Sequence, residues 1–333
     1  MRHAARRLLP LAVALPMLAP LASPAEGQDG GIEDEIRNLG ADNGRLYARP
    51  VTSGLGAGLG GGWFHSARSL GPLTVEIGVR GIGAFVPAED DVFEPVLPAE
   101  VTVDELGRTF SDPYGSGEGL ETPTAAGDGS GVVVRPAGEF RQALLEAGRS
   151  PSDFALRFPR GFDLPAVPAG AIQLDVGVAP GVDVAGRFVP EIEIDSEVGS
   201  VQSLGGGVKL AVSEWVLLDP PVDLAVTAGI QSVDVGDYLS TDARHASLVV
   251  SRTFSALTLF ASGTLEDSDS EVTYTVESDV LPSGGTTVSF EDDGANSGRF
   301  TTGFSLDLLF LQLKADYSAS EYQTVSAGVG VRF

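Results

Sequence analysis

The residues that could carry out chemistry are few in this chain and far apart. His65 and His245 lie beyond the N-terminal stretch, and neither has a second ligand at the H-x-x-x-H spacing that puts two imidazoles on one helix face. A hydrolytic serine needs a histidine to take its proton and an acid to orient the ring, so any such set would have to be assembled from distant sequence. No G-x-S-x-G nucleophile motif occurs. The chain has no cysteine, which removes thiolate nucleophiles, thiolate metal sites and disulfides. The glycine run Gly54 to Gly62 contains a formal G-x-G-x-x-G at Gly56, Gly58 and Gly61. No strand pattern precedes it and no acid follows at the right distance, so it is not read as a dinucleotide site. Its glycines suit close packing of a plug against a wall. Asp267, Asp269 and Glu271 have the opening spacing of a calcium loop, but Val272 stands where the sharp turn needs glycine. Weak divalent-cation binding at the surface is all that this predicts. No catalytic residue, metal centre or cofactor is expected, and the chain is not expected to be an enzyme.

The elements that would position side chains are strands. Thr324 to Phe333 alternates strictly, with Val325, Ala327, Val329, Val331 and Phe333 on one face and small or polar residues on the other. Similar alternation begins at Leu73 to Phe85 and recurs around Ile172 to Val178, Val182 to Phe188, Leu204 to Val212 and Val222 to Ile230. Further examples are Ala246 to Phe254, Leu257 to Ala261, Phe300 to Leu308 and Leu309 to Tyr317. The phase flips at Ala179-Pro180-Gly181, Ser255-Ala256 and Leu308-Leu309, which marks tight turns. Segments of about ten alternating residues, with short turns at one end and long loops at the other, are the pattern of a transmembrane antiparallel β-barrel. About 10–14 strands are expected on that basis, with 12 as the working number.

Ahead of the strands, Arg2, His3, Arg6 and Arg7 precede an apolar stretch, and Ser23-Pro24-Ala25 offers small residues for cleavage. Residues 1–25 are therefore read as a secretory signal. Its removal takes away Arg2, Arg6 and Arg7 and no acid, moving the formal charge from −25 to −28. So acidic a chain is not expected to bind nucleic acid, which needs clustered Lys and Arg. Residues 26–62 form an expected N-terminal segment, helical from Ile32 to Tyr47 and then Gly-rich. The barrel is expected over 63–333, with long outer loops at 86–168 and 267–296. The second of these is rich in acids and reads as a solvated, mobile excursion.

The same phase assignment predicts which charges face the lumen. They are Glu76, Arg80, Asp175, Asp183, Arg187, Lys209, Asp223, Asp307, Lys314, Asp316 and Arg332. Acids and bases are nearly matched there, so the excess negative charge belongs to the loops. Such an interior is either packed by polar pairs or a narrow pore with a crossing field. Phe333, ending the last strand on its apolar face, is the expected barrel-assembly signal.

Several short stretches resemble an uncharacterised family of bacterial outer-membrane β-barrel proteins that is distantly similar to long-chain fatty acid transporter barrels. They are Tyr47 to Pro50 with the Gly-rich run, Gly62-Trp63-Phe64-His65-Ser66-Ala67, Val86-Pro87 and Leu164-Pro165. The hairpin Gly177 to Phe188, Gly205 to Lys209 and Pro221 to Leu224 continue the match in order. The resemblance implies an outer-membrane barrel with an N-terminal helical segment and no established substrate. The expected function is passive transport of a small apolar molecule. The alternative is a structural or surface-interaction protein with acidic, cation-binding loops. Expected partners are outer-membrane lipid, the barrel-assembly machinery, a small apolar ligand and divalent cations at the loops.

Overall fold

The computed structural model describes residues 40–103, 106–195, 199–216, 221–276 and 286–333. Eleven long strands follow a plug helix, α1 (Gly40–Gly60). They are β1 (Val75–Phe85), β2 (Ala166–Ala179), β3 (Val182–Asp195), β4 (Gly199–Leu210), β5 (Asp223–Val235), β6 (Leu239–Phe254), β7 (Leu257–Val276), β8 (Thr286–Asp293), β9 (Gly298–Leu308), β10 (Leu311–Ala319) and β11 (Thr324–Arg332). All but β8 close into one antiparallel barrel, with β1 bonded to β2 on one side and to β11 on the other, and β6 bonded to β7. Closure satisfies the backbone groups within the wall, which an apolar solvent requires.

The period-2 pattern decides the two faces. On β5, Asp223, Ala225, Thr227, Gln231 and Val233 are buried inside, while Val226 and Ile230 are exposed outside. The exterior carries an apolar belt: on β7 it runs from Leu257 to Leu265 and stops at Asp267, eight residue steps or about 26 Å. That stretch, about nine residues, is close to the length a tilted strand uses to cross the hydrocarbon layer in transmembrane barrels. Below the belt lie the tight turns, with Ser255 and Leu309 both at positive φ (58° and 59°). The β4–β5 connection at this end carries Trp215, which is half-exposed and donates to the Pro180 carbonyl.

The opposite end carries the folded loops. Residues 86–165 form three short two-stranded ribbons and a helix, α2 (Gly138–Glu146). Phe110, Phe140 and Leu144 make a small core of their own, while Phe93 and Phe158 pack on Leu46 and Tyr47 of α1. The loop thus rests on the plug.

Four expectations change. The ring holds ten strands, not twelve, because the long loop keeps its ribbons out of the wall and β8 pairs only with the outer extension of β7, from Asp269 to Val276. The region 267–296 is correspondingly not a mobile excursion over its described part: Asp267, Asp269 and Glu271 lie in β7, bonded to β6. Alternating acids on one face leave the backbone free to pair, since those side chains point to water. The helix runs through Gly40–Gly60 rather than ending at Tyr47, and the wall begins at Val75 rather than at residue 63. Residues 1–25 and the start of the expected helix, 32–39, lie outside the described residues.

Candidate functional site

Among the described residues the lumen gathers the buried polar and ionisable groups, and α1 with the following segment runs through it. Along the helix, Gly54 and Gly58 share one face and Gly56 and Gly60 another, about 200° away. A Cβ at Gly54 would lie 2.6 Å from Val167 Cγ2, and one at Gly58 would lie 2.9 Å from Ala169 Cβ, both on β2. On the other side, a Cβ at Gly56 would strike Ser268, and one at Gly60 would come within 2.6 Å of Arg299 Nη2. The helix is gripped between opposite walls, and only glycine lets both approach its backbone. Glycine costs about 1 kcal/mol per residue in a helix, and this packing explains why the helix nevertheless runs through four of them.

Through the last turn of α1 and the irregular segment after Gly60, backbone groups are met by lumen side chains. Arg299 Nη2 donates to the Ala57 carbonyl (2.9 Å), Arg187 Nη1 to Gly61 (2.8 Å) and Gln173 Nε2 to Trp63 (3.0 Å). Lys209 Nζ donates to the Arg68 carbonyl (2.9 Å), and the Leu70 amide donates to Asp183 (3.1 Å). A lone backbone in a lumen needs such partners, because each unpaired buried amide or carbonyl is costly.

The charged residues form a ladder of pairs from mouth to mouth. Near the turn end Lys209 meets Asp183 at 2.8 Å, and Asp223 meets Arg68 of the plug segment at 3.6 Å. Glu76 is fully buried and bonded by Arg80 (3.4 Å), Arg332 (3.0 Å) and Lys314, while Arg332 also reaches Asp307 (3.1 Å). Midway, the His65 imidazole and Asp316 are 2.7 Å apart, and Ser326 donates to the same carboxylate. Arg187 stacks on Trp63 (4.1 Å to the ring centroid) and bonds Gln173, which in turn donates to Asp175. Higher still, Arg299 Nε bonds Glu266 at 2.7 Å. Of the eleven charges assigned to the lumen from sequence, eight are buried there; Lys314 is largely covered, and Asp307 and Arg332 sit partly open at the turn-end mouth.

Sequence reasoning missed other members. Glu266 and Arg299 continue the alternation of β7 and β9 past the points where the strands were taken to end. His65–Asp316 joins residues 251 apart in sequence, and no local spacing announces it. His65, Asp316 and Ser326 do not make a nucleophile set, since the serine hydroxyl is bonded to the carboxylate and not to the imidazole that would take its proton. Between plug and wall a void of about 30 Å³, bordered by Trp63, His245, Phe260, Arg299 and Asp316, has room for a water or two.

Above the belt, the plug is capped. Asn43 exchanges two hydrogen bonds with the backbone of Val96 (2.8 and 2.7 Å), and Arg45 donates to the Glu291 carbonyl on β8 (3.0 Å). Tyr322, fully buried in the β10–β11 turn, donates to Asp90; burial, and then that carboxylate, push its phenol pKa up. Asp292 of β8 lies 2.6 Å from the Thr52 hydroxyl, and burial raises its carboxyl above the usual value despite this bond.

The sequence profile of a family of unknown function, DUF6588, matches residues 6–333. The chain belongs to that family. No curated protein sequence is similar to this DUF6588 chain. Among solved structures it is similar to the outer membrane protease OmpT from Escherichia coli, at 8% identity over 82% of this chain and 99% of that one, with a TM-score of 0.31. It is also similar to Ail, the attachment invasion locus protein of Yersinia pestis, in complex with the heparin analogue sucrose octasulfate (10% identity, 79% and 99% coverage, TM-score 0.27). A mutant Rh. blastica porin follows at 13% identity, 49% and 54% coverage and a TM-score of 0.17. At such scores these likenesses bear on no functional detail of the DUF6588 chain, whose own geometry must supply the argument.

Proposed function

We propose that this protein is an outer-membrane barrel that acts as a closed scaffold for a folded outer surface, and that it is not an open conduit. The membrane reading is supported by the closed ladder, by the apolar belt that runs about 26 Å along β7, and by the closing bonds that Val75 makes in both directions with Phe333 after β11. The folded-loop end then faces outward and the tight turns face the periplasm, as short periplasmic turns and longer outer loops do in such barrels.

The observation that carries the scaffold reading is the plug ladder: at each level from Asn43 to Leu70 the central chain is bonded to wall or loop, and most lumen charges stand in ion pairs. A solute would have to displace ion pairs already taken out of water, which costs several kcal/mol per broken pair. The acidic outer surface, with Asp267, Asp269 and Glu271 on the outward face of β7, suits divalent cations and surface partners. The folding partners in this reading are lipid and the barrel-assembly machinery.

The competing reading, passive transport of a small apolar molecule, has one observation in its favour. A depression of about 690 Å³ on the β4–β7 exterior is lined by Gly206, Val208, Ala228, Ile230, Ala246 and Leu265. The ladders behind it are in unbroken register, so no lateral opening joins it to the lumen. Purified protein in planar bilayers decides between the two. The scaffold reading expects no stable conductance and no uptake of a fluorescent fatty acid into proteoliposomes; a steady conductance or saturable uptake by the wild type overturns it.

A further inference from the structure

The direction in which the plug passes through the barrel follows from its contacts with a single strand. Gly54 faces Val167, Gly58 faces Ala169, the Trp63 carbonyl is met by Gln173, and the Leu73 amide donates to Gly177 (2.7 Å). As the plug sequence advances from 54 to 73, its partners on β2 advance from the loop end, 167, to the turn end, 177. Other walls report the same order: Asn43 meets Val96 of the long loop and Arg45 meets Glu291 of β8, Ala57 meets Arg299, His65 meets Asp316, and Leu70 meets Asp183 beside the β2–β3 turn. The 21-residue helix alone spans about 31 Å.

We infer that the chain traverses its own barrel from the cell surface to the periplasmic mouth before it begins β1, so that the N-terminal end of α1 opens at the outer surface beside the folded loops. Ala41 and Asp42 are exposed there, while Asn43 and Gly44 are already buried. A periplasmic plug would approach the lumen from the turn end and would need no passage through the wall's full height. Here the plug must lie inside before the β1–β11 seam closes, because that seam joins the first and last strands of the chain and the Val75–Phe333 bonds sit at its periplasmic end. The consequence is a display function: the helix start is delivered to the surface by barrel closure, anchored by the glycine-lined grip and by Asn43. The inference rests on the membrane orientation proposed above.

The absence of cysteine makes single-cysteine mapping direct. Asp42→Cys, with Ala41→Cys as a second probe, would be compared with Glu118→Cys in the long loop and Leu309→Cys in a tight turn, each checked for the heat-modifiable folded barrel. A membrane-impermeant sulfonated maleimide would be applied to intact cells and again after the outer membrane is permeabilised. The expected result is full labelling of positions 42, 41 and 118 on intact cells, with position 309 labelled only after permeabilisation. Labelling at 118 on intact cells, with 41 and 42 reactive only after permeabilisation or not at all, overturns the traverse and leaves the orientation standing. Labelling at 309 but not at 118 on intact cells overturns the orientation itself.

Discussion

Glu76 shows how much a single lumen side chain has to hold. It is fully buried and accepts from Arg80, Lys314 and Arg332, so it is the common anion of three cations contributed by three strands. Replacing it with Gln keeps the shape and leaves Arg80 and Lys314 without their counter-charge, while Arg332 keeps Asp307. Breaking a buried pair from one side costs about 3–5 kcal/mol. Glu76→Gln is therefore expected to lower the unfolding free energy of the barrel in lipid by that order, read from urea titration of the heat-modifiable band. Arg332→Gln, at the open mouth, should cost far less.

Asp292 gives a second residue-scale expectation, this one above the membrane. The Thr52 hydroxyl has one proton and two acceptors in reach, the Arg49 carbonyl at 3.0 Å and Asp292 at 2.6 Å. A protonated Asp292 can donate to Thr52 while Thr52 donates to Arg49, which satisfies all three groups. Burial raises the carboxyl pKa above its unfolded value of 3.8, so between 3.8 and the raised value the folded state binds more protons. The β8–α1 contact is thus strongest below pH 3.8 and weakens as pH rises through that window. Hydrogen exchange in β8 should follow this trend, and Asp292→Asn should abolish it.

At the scale of elements, α1 is held by what it lacks. Four glycines allow two walls to touch its backbone, and Pro50 within the helix adds no compensating bond. Gly54→Leu puts a side chain where Val167 stands, and overpacking of this kind costs about 1–3 kcal/mol. The wall is fixed by its ladders while the plug is fixed by side chains, so the plug is expected to shift first. The measurable outcome is a conductance in planar bilayers that the wild type lacks, with the folded barrel retained; a silent, fully folded Gly54→Leu would mean that the glycines do not set the fit.

For the whole molecule, the decisive property is that inside and outside differ by one residue of phase. Val226 lies within the outward apolar stretch of β5, between Leu224 and Ile230, and is exposed; an Arg on the lipid face costs roughly 2–4 kcal/mol at the midplane. Val226→Arg should slow or prevent folding into bilayers, measured by the fraction of heat-modifiable barrel. Equal folding of mutant and wild type would contradict the lipid-facing assignment. The ten segments with alternating sequence are the ten strands of the wall, and the eleven charges assigned to the lumen all stand on inward phases, because alternation is a local consequence of the pleat and survives whatever the neighbouring strands do. The working number of twelve failed where long-range pairing decides: β8 has strand geometry but joins only the extension of β7, outside the ring.

Pairing and passage were not legible in the sequence for the same reason. Lys209 and Asp223 stand on adjacent strands with inward phases, yet Lys209 takes Asp183 and Asp223 takes Arg68, because strand stagger and the plug's depth place those groups closer. The Gly-rich run reads as a helix breaker by propensity, and it became helix because two walls needed room. By itself, then, the sequence determined the strands, their two faces, the short and long ends and the polarity of the interior, all of which are properties of residues i and i+2. The tertiary structure alone decided the ring size, which charge meets which and the direction of the plug, since each depends on distances between segments that are remote in the chain.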